Sequence, residues 1–162
     1  MKVIDIGPPK SDKSEIRVSN TESLSVLDHQ DQIKVVNRLF MGEKDPNCLH
    51  LFRDLEKKRY SYYRQDLSKK RVENLTEILT INELIEKLVI SKLKCVYCHK
   101  PVQLFYSKVR EPMQWSLDRI DNSIHHTCDN TCIACLQCNL KRRTTSAKAF
   151  AFTKNLSIRK ID

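Results

Sequence analysis

Residues 95–98 read Cys-Val-Tyr-Cys and residues 135–138 read Cys-Leu-Gln-Cys, and these two short stretches decide the fold of the chain. Within each pair, a two-residue spacer lets both thiolates point at one ion. Four soft sulfur ligands fill a tetrahedral shell and leave no open position, which is typical of a structural Zn²⁺. The spacing therefore predicts one structural zinc site, with the ligands Cys95, Cys98, Cys135 and Cys138.

The residues beside these pairs are interpreted without a ligand role. Cys132 also stands three positions before Cys135, but a strand over residues 130–134 would contain Cys132 and keep it out of a shared knuckle. We expect Cys132 and Cys128 to be small buried apolar residues. His99 directly follows the first pair, where knuckles often need a left-handed backbone, and His tolerates that conformation better than most residues.

The positive charge is concentrated in the C-terminal part of the chain. Residues 1–90 hold 16 Lys and Arg against 15 Asp and Glu, whereas residues 91–162 hold 13 against 5. A basic region of this kind indicates a polyanionic partner, with nucleic acid first among the candidates. A basic surface that serves only solubility is the alternative from charge alone.

The composition of the chain indicates its cellular compartment and excludes some classes of binding site. The opening residues lack the apolar core of a signal peptide, and no apolar run is long enough to span a membrane. We therefore expect an intracellular protein, in the cytoplasm or nucleus, where seven cysteines argue for metal binding rather than disulfides. The chain has only two glycines, which excludes glycine-rich phosphate loops and dinucleotide fingerprints.

Apolar spacing predicts helices before and after the cysteine-rich part. Near-helical spacing indicates a short helix over 31–41 and a long one from Cys48 to about residue 71, with Pro46 as a break between them. Thr80 begins a capping box before a third apolar helical face. A closing helix over 146–156 should cover the module with its aromatic side chains, Phe150 and Phe152.

These elements predict an α+β protein in four parts. We expect a helical N-terminal part followed by a zinc-stapled module in which a β-hairpin leads into a helix. The predicted parts are a disordered tail over 1–30, a helical region over 31–90, the zinc module over 91–156 and a tail over 157–162.

The run between and after the cysteine pairs resembles a known family. It reads Trp-Ser-Leu-Asp-Arg-Ile-Asp-Asn over 115–122, then His-His-Thr-Cys-Asp-Asn over 125–130, and ends in Cys-Leu-Gln-Cys-Asn at Asn139. This pattern is similar to the ββα-metal or HNH (His-Me finger) endonucleases, in the zinc-bound branch that includes recombination endonuclease VII. The resemblance covers about residues 90–156, less than half the chain.

The resemblance implies a role for several residues of the module. Asp118 and Asn139 would hold a catalytic Mg²⁺ or Mn²⁺, and Asn130 would pin the loop between the strands. The zinc ligands would be the four cysteines of the two pairs. Near a bound phosphate, the basic residues that follow would contact the nucleic-acid backbone; they are Lys141, Arg142 and Arg143.

The chain departs from the family at the position of the general base. The family has a histidine directly after the metal-binding Asp, and this chain has Arg119, which cannot act as a base near neutral pH. Either His126 or His125 would then take the proton of the attacking water, with His126 favoured, or the base is lost. Arg119 would serve as a phosphate clamp, since its planar fork matches two phosphate oxygens.

Three functions follow as expectations. The first is a metal-dependent endonuclease that hydrolyses phosphodiester bonds, with DNA as the expected substrate. The second is an inactive zinc-stabilised module that binds nucleic acid without cutting it, because the base position is Arg119. The third is a zinc-dependent protein-interaction adaptor, which should have little affinity for nucleic acid.

Overall fold

The computed structural model describes residues 27–156, and the protein is a mixed α+β chain with a small two-stranded sheet. The predicted tail over 157–162 and most of the predicted tail over 1–30 lie outside the described residues. The elements in chain order are helices α1 (His29–Phe40), α2 (Pro46–Ser68) and α3 (Ile81–Ile90), strands β1 (Trp115–Arg119) and β2 (Thr131–Cys135), and helices α4 (Leu136–Arg142) and α5 (Ala147–Asn155). A short 3₁₀ turn, Leu75–Glu77, lies between α2 and α3.

Side-chain caps set where the first two helices begin. Asp28 accepts a hydrogen bond from the backbone of Asp31, so α1 begins at His29, within the predicted tail. Asp45 caps α2 in the same way, and Pro46 occupies the first turn of that helix. Proline suits this place because its missing N–H would have no helical partner. The interpretation of Pro46 as a break between helices is thus refined: it opens the second one.

The predicted capping box of α3 is confirmed. The Thr80 hydroxyl accepts from the backbone N–H of Glu83 at 3.3 Å, and the Glu83 carboxylate accepts from the N–H of Thr80 at 2.6 Å. The helix then ends at Ile90, and Lys92 and Leu93 turn with positive φ into the first cysteine pair. This turn fixes how α3 enters the cysteine-rich part.

The two strands form an antiparallel hairpin that leads directly into a helix. The register pairs Leu117 with Ile133 and Asp118 with Cys132. Helix α4 begins at Leu136, the residue after the last of β2, which gives the order strand, strand, helix. Successive side chains of a strand point to opposite faces, so Asp118 and Arg119 face different sides of the hairpin.

Helices α1 to α3 and the hairpin share one hydrophobic core. The Leu104 N–H donates to Gln32 Oε1 of α1 at 2.8 Å, and the Leu117 N–H donates to the Tyr62 hydroxyl of α2 at 3.0 Å. Lys58 of α2 lies over the Trp115 ring, 4.2 Å from its centroid. Buried residues run continuously from α1 to α4, for example Val36, Leu55, Leu88, Leu117 and Cys138. The hydrophobic core therefore continues across the predicted boundary at residue 90.

The closing helix covers the module with one of its two phenylalanines. Phe150 packs edge-on against Tyr97, with ring centroids 5.0 Å apart. Phe152 is 68% exposed, so its predicted covering role is wrong. It lies two residues from Phe150, on another side of a short helix. None of the helices within residues 27–156 is long and apolar enough to cross a membrane.

Candidate metal centre and the two faces of the hairpin

The two cysteine pairs meet in one cluster that can chelate a metal ion. The sulfur atoms of Cys95, Cys98, Cys135 and Cys138 all lie within 4.8 Å of one another. Tetrahedral zinc with four sulfur ligands needs sulfurs about 3.8 Å apart, and Cys98 Sγ lies 3.9 Å from Cys135 Sγ. The cluster is consistent with the predicted structural zinc site, since four protein ligands leave no open position.

Backbone hydrogen bonds preform the first knuckle. His99 has φ of +57°, the left-handed conformation predicted for it, and its N–H donates to the Cys95 carbonyl at 2.9 Å. The Val96 N–H donates to the Ile133 carbonyl, which ties the knuckle to β2. In the second knuckle, the Cys138 N–H donates to Cys135 Sγ at 3.4 Å. Both cysteine pairs are therefore held by the hairpin and by the start of α4.

The thiols hold one another in a shared protonation state. The neighbouring Cys135 thiol lowers the pKa of Cys95, and the same interaction raises the pKa of Cys135. Cysteine ligands bind a metal ion as thiolates, so zinc binding would release the protons of these thiols. Cys128 and Cys132 lie outside the cluster and pack against the core, as expected, but both are only partly buried rather than buried.

Asp118 lies at the end of β1 with its carboxylate fully hydrogen-bonded. Arg142 of α4 donates to both oxygens, from Nε to Oδ2 at 2.6 Å and from Nη2 to Oδ1 at 2.9 Å. The Tyr97 hydroxyl donates to Oδ2 at 2.5 Å. Asp118 is 4% exposed and Arg142 is 1% exposed. This is a buried ion pair with bidentate geometry.

The donor set around Asp118 does not fit the catalytic divalent ion that the resemblance implies. A hard cation needs carboxylate lone pairs, and those of Asp118 are directed at the Arg142 guanidinium and the Tyr97 hydroxyl. Asn139 lies on the same side of the hairpin, where its amide nitrogen donates to Ser116 Oγ and to the Leu117 carbonyl, each at 3.1 Å. A guanidinium holds the place beside the carboxylate where an ion would bind.

The expectation that Arg142 contacts nucleic acid is corrected by its burial. Arg142 is almost completely buried because Asp118, the Thr145 carbonyl and the Asn122 side chain accept its hydrogen bonds. The residues on either side of it, Lys141 and Arg143, are exposed. Two of the three predicted contacts are therefore on the surface.

Asn130 holds the loop between the strands. Its amide nitrogen donates to the carbonyls of Asp121, Ile124 and His125 at 3.0 to 3.3 Å. Its amide oxygen accepts from the Asp121 N–H at 2.8 Å. One buried side chain thus fixes both ends of the loop, which is the position that the resemblance assigns to a pinning asparagine.

Arg119, His125 and His126 contact the helical part of the protein. His126 is 4% exposed, and its Nδ1 lies 2.6 Å from Asp66 Oδ2 of α2. The Nη1 of Arg119 lies 3.8 Å from Asp66 Oδ1. His125 Nε2 lies 2.9 Å from the carbonyl of Glu77, in the 3₁₀ turn. These three residues therefore meet the α2 side of the hairpin.

The environment of His126 favours its neutral imidazole. Burial lowers the pKa of His126, and it outweighs the hydrogen bond with Asp66, which acts in the opposite direction. The Asp66 carboxylate accepts from both the backbone N–H and the Nδ1 of His126. This fixes the tautomer with the proton on Nδ1 and leaves Nε2 as the acceptor.

The predicted catalytic residues are separated by the hairpin. Asp118 and Asn139 lie on the α4 face, where Arg142 binds the carboxylate. Arg119 and His126 lie on the α2 face, where both approach Asp66. The structure does not bring the candidate ion ligands and the candidate base into one group.

Sequence reasoning missed two residues of this region. Asp66 falls on the buried stripe of α2 together with Leu51, Leu55 and Tyr62, so an acidic residue at an apolar helical position was the available signal. Tyr97, inside the first cysteine pair, carried no such signal. Burial raises the pKa of its hydroxyl, and it therefore acts as a donor to Asp118.

Comparison of the chain with protein-family models, with curated proteins and with solved structures gave no match. The resemblance to HNH endonucleases therefore rests on the motif residues and their spacing.

Proposed function

We propose that the chain is a zinc-stapled nucleic-acid-binding module that resembles the HNH endonucleases. The observation that carries the proposal is a closed four-sulfur cluster at the start of α4, with exposed cations at the end of the same helix. The metal is structural Zn²⁺, because four thiolates fill the tetrahedral shell. It fixes the hairpin and α4 as one rigid base for the basic side chains.

The partner is nucleic acid, and DNA is the first candidate. Lys141 and Arg143 flank the buried Arg142 and lie in solvent. They belong to a segment, 91–162, with a large excess of Lys and Arg over Asp and Glu. Each phosphate contact of this kind releases a counterion, so binding should weaken steeply with salt.

A second candidate function is hydrolysis of phosphodiester bonds with Mg²⁺ or Mn²⁺. It is supported by the neutral His126, which Asp66 orients within a loop held by Asn130. A general base has to be neutral and fixed in this way. Cleavage would require the Asp118 carboxylate to exchange Arg142 for an ion, so it ranks behind binding.

Binding is tested by a salt titration of affinity for a labelled DNA duplex. The double variant Lys141→Ala/Arg143→Ala should reduce the slope of log Kd against log salt by about 1.8, since each lost contact removes about 0.9. The control Lys44→Ala/Lys57→Ala removes two exposed charges from the helical part and should leave the slope nearly unchanged. Equal effects of both pairs, or no affinity in the wild type, would favour the adaptor function instead.

Cleavage is tested on supercoiled plasmid and on branched DNA. The protein is incubated with Mg²⁺ or Mn²⁺, with EDTA as the metal control. Metal-dependent nicking that is lost in both Asp118→Asn and His126→Gln, with zinc content and folding retained, would establish the second candidate. Salt-sensitive binding with no nicking would leave the binding function alone.

A further inference from the structure

On the α2 face, two arginines share one buried carboxylate as their ion-pair partner. Asp66 is fully buried, and its Oδ2 accepts two hydrogen bonds from His126. Its Oδ1 has no hydrogen-bond partner. The Nη1 atoms of Arg71 and Arg119 each lie 3.8 Å from Oδ1, beyond hydrogen-bond distance. Among the described residues, Asp66 is thus the one carboxylate that forms an ion pair with both guanidinium groups, while Asp118 and Asp121 act on Arg119 from farther away.

The two guanidinium groups are held close together. Because both Nη1 atoms lie the same distance from one oxygen, they are no farther apart than twice that distance. Arg119 is fixed by hydrogen bonds from Nη1 to the carbonyls of Asn122 and Ile124. Burial and the neighbouring charge of Arg71 lower the pKa of Arg119. A like-charged, partly desolvated pair is stabilised by an anion.

Arg71 opens this cluster to solvent. Its side chain is 24% exposed, and that of Arg119 is 13% exposed. The Arg71 backbone N–H donates to the Asp66 carbonyl at 2.9 Å, which anchors the residue just after α2. Further exposed cations lie along the end of the helix, namely Arg64, Lys69 and Lys70. An anion that reaches Arg71 thus meets a positively charged surface.

We propose that Arg71 and Arg119, each held beside the buried Asp66, form a binding site for a phosphate group. The site takes a phosphodiester of the nucleic-acid backbone, since two planar guanidinium forks can share the oxygens of one phosphate. It lies on the opposite face of the hairpin from the Asp118–Arg142 pair and uses a residue from outside the zinc module. This inference rests on the proposed nucleic-acid binding and adds a second contact to it.

The test compares Arg71→Ala with Arg53→Ala in the full chain. Arg53 is an exposed arginine of α2 that lies outside the cluster, so its loss is a matched change in charge. Affinity for a DNA duplex is measured between roughly 50 and 200 mM salt. Arg71→Ala should weaken binding about tenfold near 0.1 M salt and reduce the slope by about 0.9, with a much smaller change in Arg53→Ala. Arg71→Lys should restore part of the affinity.

Folding is checked through zinc content and thermal unfolding of each variant. Equal loss of affinity in Arg71→Ala and Arg53→Ala would overturn the site, as would lower stability in Arg71→Ala with unchanged DNA binding. Those results assign Arg71 a purely structural role beside Asp66.

Inorganic phosphate distinguishes failure of the site from failure of the proposed function. If the wild type binds no DNA, yet phosphate raises its unfolding temperature and Arg71→Ala abolishes that rise, the site stands and the nucleic-acid function fails. DNA binding that millimolar phosphate does not displace, with the Arg71 effect intact, assigns the site to the polymer. No response to either ligand overturns both.

Discussion

Two buried aspartates, one on each face of the same hairpin, meet arginine in different ways. Asp118 has three donors on its two oxygens, from Arg142 and Tyr97. Asp66 has both of its side-chain hydrogen bonds on one oxygen, and the other oxygen has none. The carboxylate of Asp118 is hydrogen-bonded by one guanidinium and one hydroxyl, whereas Asp66 lies near two guanidinium groups and accepts a hydrogen bond from neither.

The difference separates a structural pair from a site that can still bind. A buried charge is tolerated when it is paired with an opposite charge and well hydrogen-bonded, as both oxygens of Asp118 are. A buried carboxylate oxygen without a donor carries a cost, which the positive charges of the two nearby guanidinium groups offset in part. The α4 face therefore holds the fold together, and the α2 face retains unused donors.

Removal of the metal should disrupt the packing on both faces of the hairpin, and this is the largest effect that we expect. In Cys138→Ser, a hydroxyl replaces one thiolate, and zinc binding should be lost together with the native hairpin. Structural zinc contributes roughly 10–16 kcal/mol in small zinc domains. The measurement is zinc content per chain with thermal unfolding followed by circular dichroism. Cys128→Ser, outside the cluster, should retain one zinc per chain; a chain that keeps zinc and stability in Cys138→Ser contradicts the cluster.

Disruption of the Asp118–Arg142 ion pair on the α4 face should have the next largest effect on stability. Asp118→Ala leaves the Arg142 guanidinium buried without its carboxylate, which should cost roughly 3–5 kcal/mol in the free energy of unfolding. The measurement is urea unfolding at constant zinc. The double variant Asp118→Leu/Arg142→Met removes both charges and should recover most of the loss. If Asp118→Ala unfolds like the wild type, the pair is not structural and Asp118 is free for an ion.

The sequence predicted those features that depend on neighbours along the chain. The left-handed His99 and the capping box at Thr80 each arise within a few residues, and each is confirmed. The meeting of the four cysteines is confirmed as well; it joins two distant pairs, but each pair is a local motif whose two-residue spacer already indicates a shared ion. Their geometry is set by local backbone hydrogen bonds, which spacing reports. The α+β arrangement followed from the same kind of pattern.

The partners of charged side chains could not be predicted in this way. Arg142 follows Asp118 by 24 residues, and nothing in the spacing says that α4 turns this arginine inward rather than toward solvent. Asp66 is 60 residues from His126. Such contacts depend on how α2 and α4 pack on the two faces of the hairpin. The resemblance predicted a metal ion at the Asp118 carboxylate, whereas the packing of α4 places the Arg142 guanidinium there.

Neutralising Asp66 on the α2 face should reduce stability less than disrupting the Asp118–Arg142 ion pair on the α4 face. In Asp66→Asn, the amide oxygen can still accept from His126, and the partly exposed Arg71 can reach water. We expect a loss of about 1–3 kcal/mol in the free energy of unfolding, measured with urea. Because the variant removes the buried carboxylate that lies nearest to both arginines, its affinity for DNA should rise. A loss as large as that of Asp118→Ala would contradict the proposed difference between the faces.

The smallest effect is the pH dependence of His126. Burial holds its pKa below that of an ordinary histidine, about 6.5. As the pH falls, His126 therefore becomes protonated in the unfolded chain before it does in the folded chain. The contribution of His126 to stability is fully present above about pH 6.5 and is lost as the pH falls from there toward the pKa in the folded state. NMR titration of the His126 ring, assigned by loss of its resonance in His126→Gln, should give a midpoint below that of a free imidazole. In Asp66→Asn the midpoint should fall further, because the carboxylate is the group that favours the charged ring. A midpoint above 6.5 in the wild type would mean that Asp66 outweighs burial, and His126 would then add a positive charge to the α2 face at neutral pH.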